Sequence, residues 1–389
     1  MSESFVGVRA VASAAQSSTA NTAGRLVSLD AFRGATMAFM ILVNNPGDDA
    51  HTYWPLRHAG WNGWTPTDVV FPSFLWIVGV AITLSLGRRL ARGDSRAALL
   101  RQATRRACVL FALGVSVYLY PAFDLSTQRI LGVLQRIAIC YLATAAIYLT
   151  TRLRGQIVWT MSLMAVYWLL MAFGPVPGFG SGRLDVDGNF AHYIDRVVLG
   201  SHNYLQTKTW DPEGILSTLP AIATCLLGLV AGHIVGSRHS LGTRCLRLLG
   251  LGTILLAAGL ICNNWQPINK KLWTDSFTLF MAGMDFVLFA GFLWLADGLG
   301  WRRAAKPLVI MGSNAIVIYL ASEFLDEALN WVRWTGSSGK VVLRAWLYDH
   351  LFAPLASPYD ASLLYAVTYV LVMFLAAWAL YRRGWFVRV

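Results

Sequence analysis

A succession of apolar runs, each about as long as a bilayer crossing and joined by short basic connections, constrains this chain more than any other feature. A transmembrane helix needs about 20 mostly apolar residues, and a helix satisfies its own backbone polar groups inside hydrocarbon. About ten such runs occur, at 28–45, 66–87, 105–122, 129–150, 156–174, 215–236, 246–264, 275–298, 306–325 and 361–381. Only 13% of the residues are charged and 56% are hydrophobic, against roughly 25% charged in soluble domains. The expected fold class is all-α, a polytopic membrane helix bundle of about ten transmembrane helices.

The net charge of +12 could suggest nucleic acid, but the basic residues are confined to alternate short connections. Arg88, Arg89, Arg92, Arg96, Arg101, Arg105 and Arg106 follow the second run. Arg152 and Arg154, then Arg238, Arg244 and Arg247, then Arg302, Arg303 and Lys306, and finally Arg382, Arg383 and Arg388 follow at later alternate positions. Such sorting sets topology and contacts anionic lipid. It predicts both termini on the cytoplasmic side and excludes a nucleic-acid partner. The intervening loops collect acids, among them Asp48, Asp49, Asp185, Asp187, Asp211, Glu213, Asp326, Asp349 and Asp360.

Residues 1–24 are rich in Ser, Ala and Thr and lack a basic stretch leading into an apolar core. The expectation is a disordered cytoplasmic tail, not a signal peptide, with a membrane domain over 25–389. Its outer-face loops would be 46–65, 175–214 and 326–360. The last two are long enough to fold over the outer mouth, and FAHYIDRVVLG and VVLRAWLYDHLFAPL have apolar spacing suited to short amphipathic helices. The five cysteines show no disulfide framework, and no metal-ligand spacing is present.

The most polar outer loop joins the first two runs. It carries His58 among Trp54, Trp61 and Trp64, the amides Asn44, Asn45 and Asn62, and the acid Asp68. An imidazole exchanges a proton near neutral pH, and a carboxylate partner can orient it. His58 is therefore the candidate base and Asp68 its partner, although Asp68 in WTPTDVVF also reads as a first-turn acid after Pro66. Asn44 and Asn45 could donate to a developing oxyanion; the blander reading is capping before Pro46. Trp61, Asn62, Asp211 and Glu213 (in WDPEGILSTLP) and Asn314 (in MGSNAIVIYL) are candidate acceptor contacts. The two acids would attract an amine. Charges within runs, Arg136 and Asp285, are functional candidates or interhelical pairs. Lys270 and Lys271 read as snorkelling lysines.

SLDAFRG, VNN, RHAGWNGWTPTDVVFPSFLWIVG, GVLQRIAICYL, WDPEGILSTLPAI, PINKKLWT and GSNAIVIY together resemble the heparan-alpha-glucosaminide N-acetyltransferase family and its bacterial relatives. The likeness runs in order from Arg25 to Tyr319. It implies a membrane enzyme that moves acetyl from cytoplasmic acetyl-CoA to an amino sugar across the bilayer. Its active-site histidine would fall on His58 and its catalytic asparagine on Asn44 or Asn45. Dimerisation is implied by the resemblance alone. CoA phosphates would then meet basic residues at the cytoplasmic mouth. Arg105, Arg106, Arg302 and Arg303 are candidates, with Arg33 and Arg136 lining the path of the thioester. The setting expected is a bacterial inner membrane with His58 facing the periplasm. An O-acyltransferase of envelope polysaccharide or glycolipid and a sugar or lipid transporter are the alternatives.

Overall fold

The computed structural model describes residues 26–336 and 339–387, so the expected tail at 1–24 lies outside the described residues. The α-helices run in the order α1 (Val27–Asn44), α2 (Val70–Ala91), α3 (Arg96–Leu119), α4 (Val133–Thr150), α5 (Leu153–Phe173), α6 (Phe190–Leu199), α7 (Thr218–Val235), α8 (Leu241–Cys262), α9 (Asp275–Phe292), α10 (Arg302–Ser313), α11 (Ala315–Trp331), α12 (Leu343–Leu351) and α13 (Pro358–Arg382). One short hairpin, β1 (Arg333–Gly336) with β2 (Gly339–Val342), interrupts the helices. The chain is an all-α, multi-pass membrane bundle.

Among the described residues eight helical segments are long and apolar enough to cross a bilayer, and the pair α10–α11 brings the number to nine. Helix α3, with 24 residues, spans about 36 Å at 1.5 Å per residue. Arg96, Arg101, Arg105 and Arg106 in its first half make it less apolar than the others. It is not among the helices apolar enough to cross, and its far end places Tyr118 in the wall of the cavity that includes His58. Two differences from the sequence reading stand out. Helix α3 starts at Arg96, well before 105. The run at 306–325 is not a straight span but two helices meeting at 66° around Asn314. Within the loop 175–214 the short helix expected at FAHYIDRVVLG is present as α6, capped by the Asn189 side chain, which accepts from the His192 amide.

Burial separates the layers. In α7 and α2, 72% and 67% of the apolar window lies inside the protein, against 28% in α5, α8 and α13. The inner helices touch backbone to backbone. A Cβ at Gly79 of α2 would lie 1.9 Å from the Cys225 carbonyl oxygen of α7, and one at Gly228 would lie 2.1 Å from that of Trp76. Small residues let membrane helices approach this closely, where dispersion replaces the missing hydrophobic drive. Gly34 of α1 meets Leu308 and Gly312 of α10 in the same way.

The bundle has two unlike ends. The start of α1, the end of α2 and the end of α7 meet at one, with Arg33, Arg88 and His233 around a cavity of about 600 Å³. The opposite ends of α1 and α2 meet at the other, around a cavity of about 170 Å³ that includes His58.

Candidate active site

The His58 loop is fixed by its own polar groups. Pro66 opens a 3-10 turn, and Thr65 and Asp68 form a reciprocal capping box ahead of α2. The Thr65 hydroxyl donates to the Arg57 carbonyl (2.6 Å) and the Thr67 hydroxyl to that of Pro55 (3.0 Å). Asp68 is 1% exposed and accepts at both oxygens. Oδ2 takes the amides of Ala59 and Thr65, each at 3.0 Å, and Oδ1 takes His58 Nδ1 at 2.7 Å. Asp68 thus contacts His58 and caps the turn ahead of α2 at the same time.

A carboxylate only accepts, so the proton of the neutral imidazole sits on Nδ1 and its lone pair on Nε2. The Lys270 ammonium lies 3.1 Å from the same Nδ1 and 3.5 Å from Asp68 Oδ1. Lys270 thus turns inward to the site instead of snorkelling. Partial burial, with half of the side chain still exposed, and the Lys270 charge hold the His58 pKa below the ordinary imidazole value, against the opposing pull of Asp68. Burial likewise lowers the Lys270 pKa, opposed by Asp68 and Glu213. At neutral pH His58 is an unprotonated imidazole, oriented by a carboxylate through one nitrogen.

The cavity around it is lined by Met40, Val43 and Asn44 from α1, Thr67, Val70 and Phe71 at the start of α2, and Val133. Tyr118, Glu213, Lys270, Tyr319 and Glu323 complete the wall. The two adjacent asparagines part company here. Asn44 faces the cavity, whereas the buried Asn45 donates its amide to the Ile41 carbonyl at 2.8 Å, a helix-ending contact.

Several candidates lie elsewhere. Asp211 is not open to a cationic ligand: Arg129 grips it through Nε and Nη2 and also bonds Glu213 through Nη2. The guanidinium is sandwiched by the Tyr118 and Tyr204 rings, 4.8 and 4.4 Å away, and its Nη1 donates to the Tyr118 hydroxyl. Burial would raise the Glu213 carboxyl, but Arg129, Arg136 and Lys270 outweigh it and hold it low. Trp61 donates to the Leu184 carbonyl at 2.8 Å and packs on His192 and Trp210, tying two loops together. Asn62 accepts from Asn269 at 3.1 Å.

Asn314 spends both polar atoms on the backbone of Trp385 and Val387. It adjoins the α10 segment that packs on Asp30, at the end remote from His58. Arg136, 1% exposed, donates to the Gly214 carbonyl and the Ser217 hydroxyl beneath Trp273, so it braces α4 against the start of α7. Arg33 does line the larger cavity. Arg105 and Arg106 lie on the exposed face of α3, Arg106 over the Tyr141 ring, and line neither cavity. Asp285, completely buried, accepts from the Ser73 hydroxyl of α2 and so joins two inner helices.

Sequence reasoning missed Arg129, Tyr118, Tyr319 and Glu323. For Arg129 a signal existed, an arginine at the edge of an apolar run with two acids in a distant loop. For the others, single residues in membrane helices, nothing marked the face that would line the cavity.

Comparison with known proteins agrees with the sequence resemblance. Residues 25–259 match the family model described as heparan-alpha-glucosaminide N-acetyltransferase, catalytic. The heparan-alpha-glucosaminide N-acetyltransferase of Mus musculus is 29% identical over 362 residues, 79% of this chain and 54% of the relative. That of Homo sapiens is 29% identical over 359 residues, 78% of this chain and 53% of the relative. The chain spans about half the length of these curated relatives. With well over half of its residues matched by the family model, and with a membrane bundle presenting a carboxylate-oriented histidine, the chain belongs to the heparan-alpha-glucosaminide N-acetyltransferase catalytic family.

Proposed function

We propose that this protein transfers an acetyl group from acetyl-CoA to the amino group of a saccharide, with His58 as general base. The observation that carries the reading is the small cavity in which His58, its Nδ1 bound to Asp68, shares a wall with Asn44. An imidazole whose Nε2 holds a lone pair at neutral pH can take a proton from an attacking nucleophile. A side-chain amide beside it can donate to the oxyanion that forms on the thioester carbonyl. Asn44, in the cavity wall, fills that role better than Asn45.

The donor side is the larger cavity, where Arg33 and Arg88 suit the phosphates of CoA. Alternating helices set the arginine-rich connections at that end, so the positive-inside rule makes it cytoplasmic and the His58 end periplasmic. The expected setting is a bacterial inner membrane. Arg33 and Asn44 stand on the same helix, and eleven residues of rise separate them by roughly 16 Å. A thin pantetheine arm can bridge that distance where the whole nucleotide cannot pass. The stretches of α1 and α2 between the cavities carry buried Met37, Ile77 and Val80, and these side chains must move aside for the arm. Arg136 is better assigned to bracing the bundle than to the donor path.

The test is CoA release by the purified protein in nanodiscs, with acetyl-CoA, a panel of amino sugars and hydroxyl acceptors, and His58→Ala beside the wild type. Acceptor-dependent release that is lost in the variant supports the reading. Release that persists in the variant removes His58 as base. Absence of release with every acceptor, with net movement of an unmodified solute instead, makes the protein a transporter.

A further inference from the structure

The cavity at His58 holds one charged group that no other residue answers. Glu213 is bonded to Arg129, Lys270 sits beside Asp68, and His58 is tied to Asp68. Glu323, from α11, lines the same cavity, and among the described residues its carboxylate has neither a hydrogen bond nor an ion pair. Arg129 cannot serve it readily, because all three of its guanidinium nitrogens are already bonded to Asp211, Glu213 and the Tyr118 hydroxyl. Glu327, one turn further along α11, adds negative charge to that face, whereas Asp326 beside it is paired with Arg344. A carboxylate held largely out of water without a partner is costly, and such groups recur where a ligand supplies the missing charge.

We propose that Glu323 binds the ammonium group of the acceptor and takes its first proton. The inference rests on the acyltransferase reading and adds to it the residue that receives the acceptor amine in its cationic form. Proton balance requires such a group. An acceptor that arrives as an ammonium must lose two protons to become an amide, and His58 can move only one of them to the departing sulfur. In the balanced sequence, the Glu323 carboxylate takes a proton from R–NH3+ to leave R–NH2. The nitrogen lone pair attacks the thioester carbonyl carbon as the carbonyl π pair moves to oxygen. His58 Nε2 takes the second proton from nitrogen, the C–S bond breaks, and the thiolate receives that proton from His58. Glu323 returns its own proton to water. The sum is R–NH3+ and acetyl-CoA giving the acetamide, free CoA thiol and one proton. A hydroxyl acceptor carries a single transferable proton and has no need of Glu323.

The experiment compares wild type, Glu323→Gln and Glu323→Asp in nanodiscs, with acetyl-CoA and glucosamine, across pH, with Tm measured in parallel. The expected result for Glu323→Gln is a KM for glucosamine raised about tenfold or more near pH 6.5 and recovering towards wild type near pH 9, where the amine is neutral. Its Tm should not fall, because no protein contact is lost. Glu323→Asp, which keeps the charge, should keep the wild-type pH profile. An unchanged KM and pH profile in the Gln variant overturns the proposal. So does a lowered Tm with activity lost at every pH, which makes Glu323 structural, and so does identical behaviour of the Gln and Asp variants. Turnover by wild type with hydroxyl acceptors alone also overturns it, while leaving acyl transfer intact. Absence of CoA release by wild type with any acceptor removes the acyltransferase reading and this inference with it.

Discussion

Asp68→Asn isolates the part of the site on which the proposed chemistry depends most, the tautomer of His58. The carboxylate receives donors on both oxygens: the amides of Ala59 and Thr65 on Oδ2, and His58 on Oδ1. A carboxamide of the same shape has one acceptor atom and one donor atom. Turning its NH2 towards Oδ2's position would face two backbone N–H groups with a donor, leaving buried donors unpaired at about 1–3 kcal/mol each. The oxygen therefore stays there and the NH2 faces His58 Nδ1. To accept from it, the imidazole must shift its proton to Nε2, which removes the lone pair that acts as base. The fold should survive, since the loop's own hydrogen bonds are retained; the cost is about 1–3 kcal/mol for the lost charge-assisted bond. The expected fall in kcat is about 10³- to 10⁴-fold, the scale seen when a triad acid is amidated. Acceptor-dependent CoA release measures it, with Tm as the control. The double variant with His58→Ala should be no slower than His58→Ala alone, because both changes disable one unit. A kcat within about threefold of wild type, or a double variant much slower than either single one, would refute the reasoning.

Two further substitutions test neighbouring contacts. Lys270→Met removes a positive charge 3.1 Å from His58 Nδ1; the imidazolium then forms more easily, so the acid limb of kcat/KM should move to higher pH, and an unmoved or lowered limb counts against Lys270 as a tuning charge. Asn44→Ala should cost about 10²- to 10³-fold in kcat with Tm preserved, whereas Asn45→Ala, which removes the bond to Ile41, should lower stability by about 0.5–1.5 kcal/mol and leave the per-molecule rate near wild type; the reverse pattern would exchange their roles.

What the sequence by itself determined follows from properties local in the chain. Apolar runs near 20 residues declare membrane helices because the backbone must bond to itself in hydrocarbon. The short segment HAGWNGWTPTD already contained both His58 and Asp68, and their contact forms within a loop closed by Pro66 and the Thr65 cap. Alternation of basic connections is likewise written in the chain, and it assigns the arginine-rich connections to one side. Tertiary structure decided which residues each end turns inward. Arg129 meets Asp211 across a separation of 82 residues and so takes from the acids the role their charge suggested. Asn44 ends α1 and Asn45 leaves it with a non-helical backbone, its amide turned back to the Ile41 carbonyl, and only the helices packed against α1 determine that Asn44 lines the cavity. Lys270 reaches His58, and Glu323 its cavity, from segments more than 200 residues away in sequence, in contexts that read as an interfacial lysine and an ordinary helix acid. In hydrocarbon the direction a helix faces is set by how closely the small residues of its neighbours let it approach, as at Gly79 and Gly228, and a single sequence without its partners carries no record of that choice.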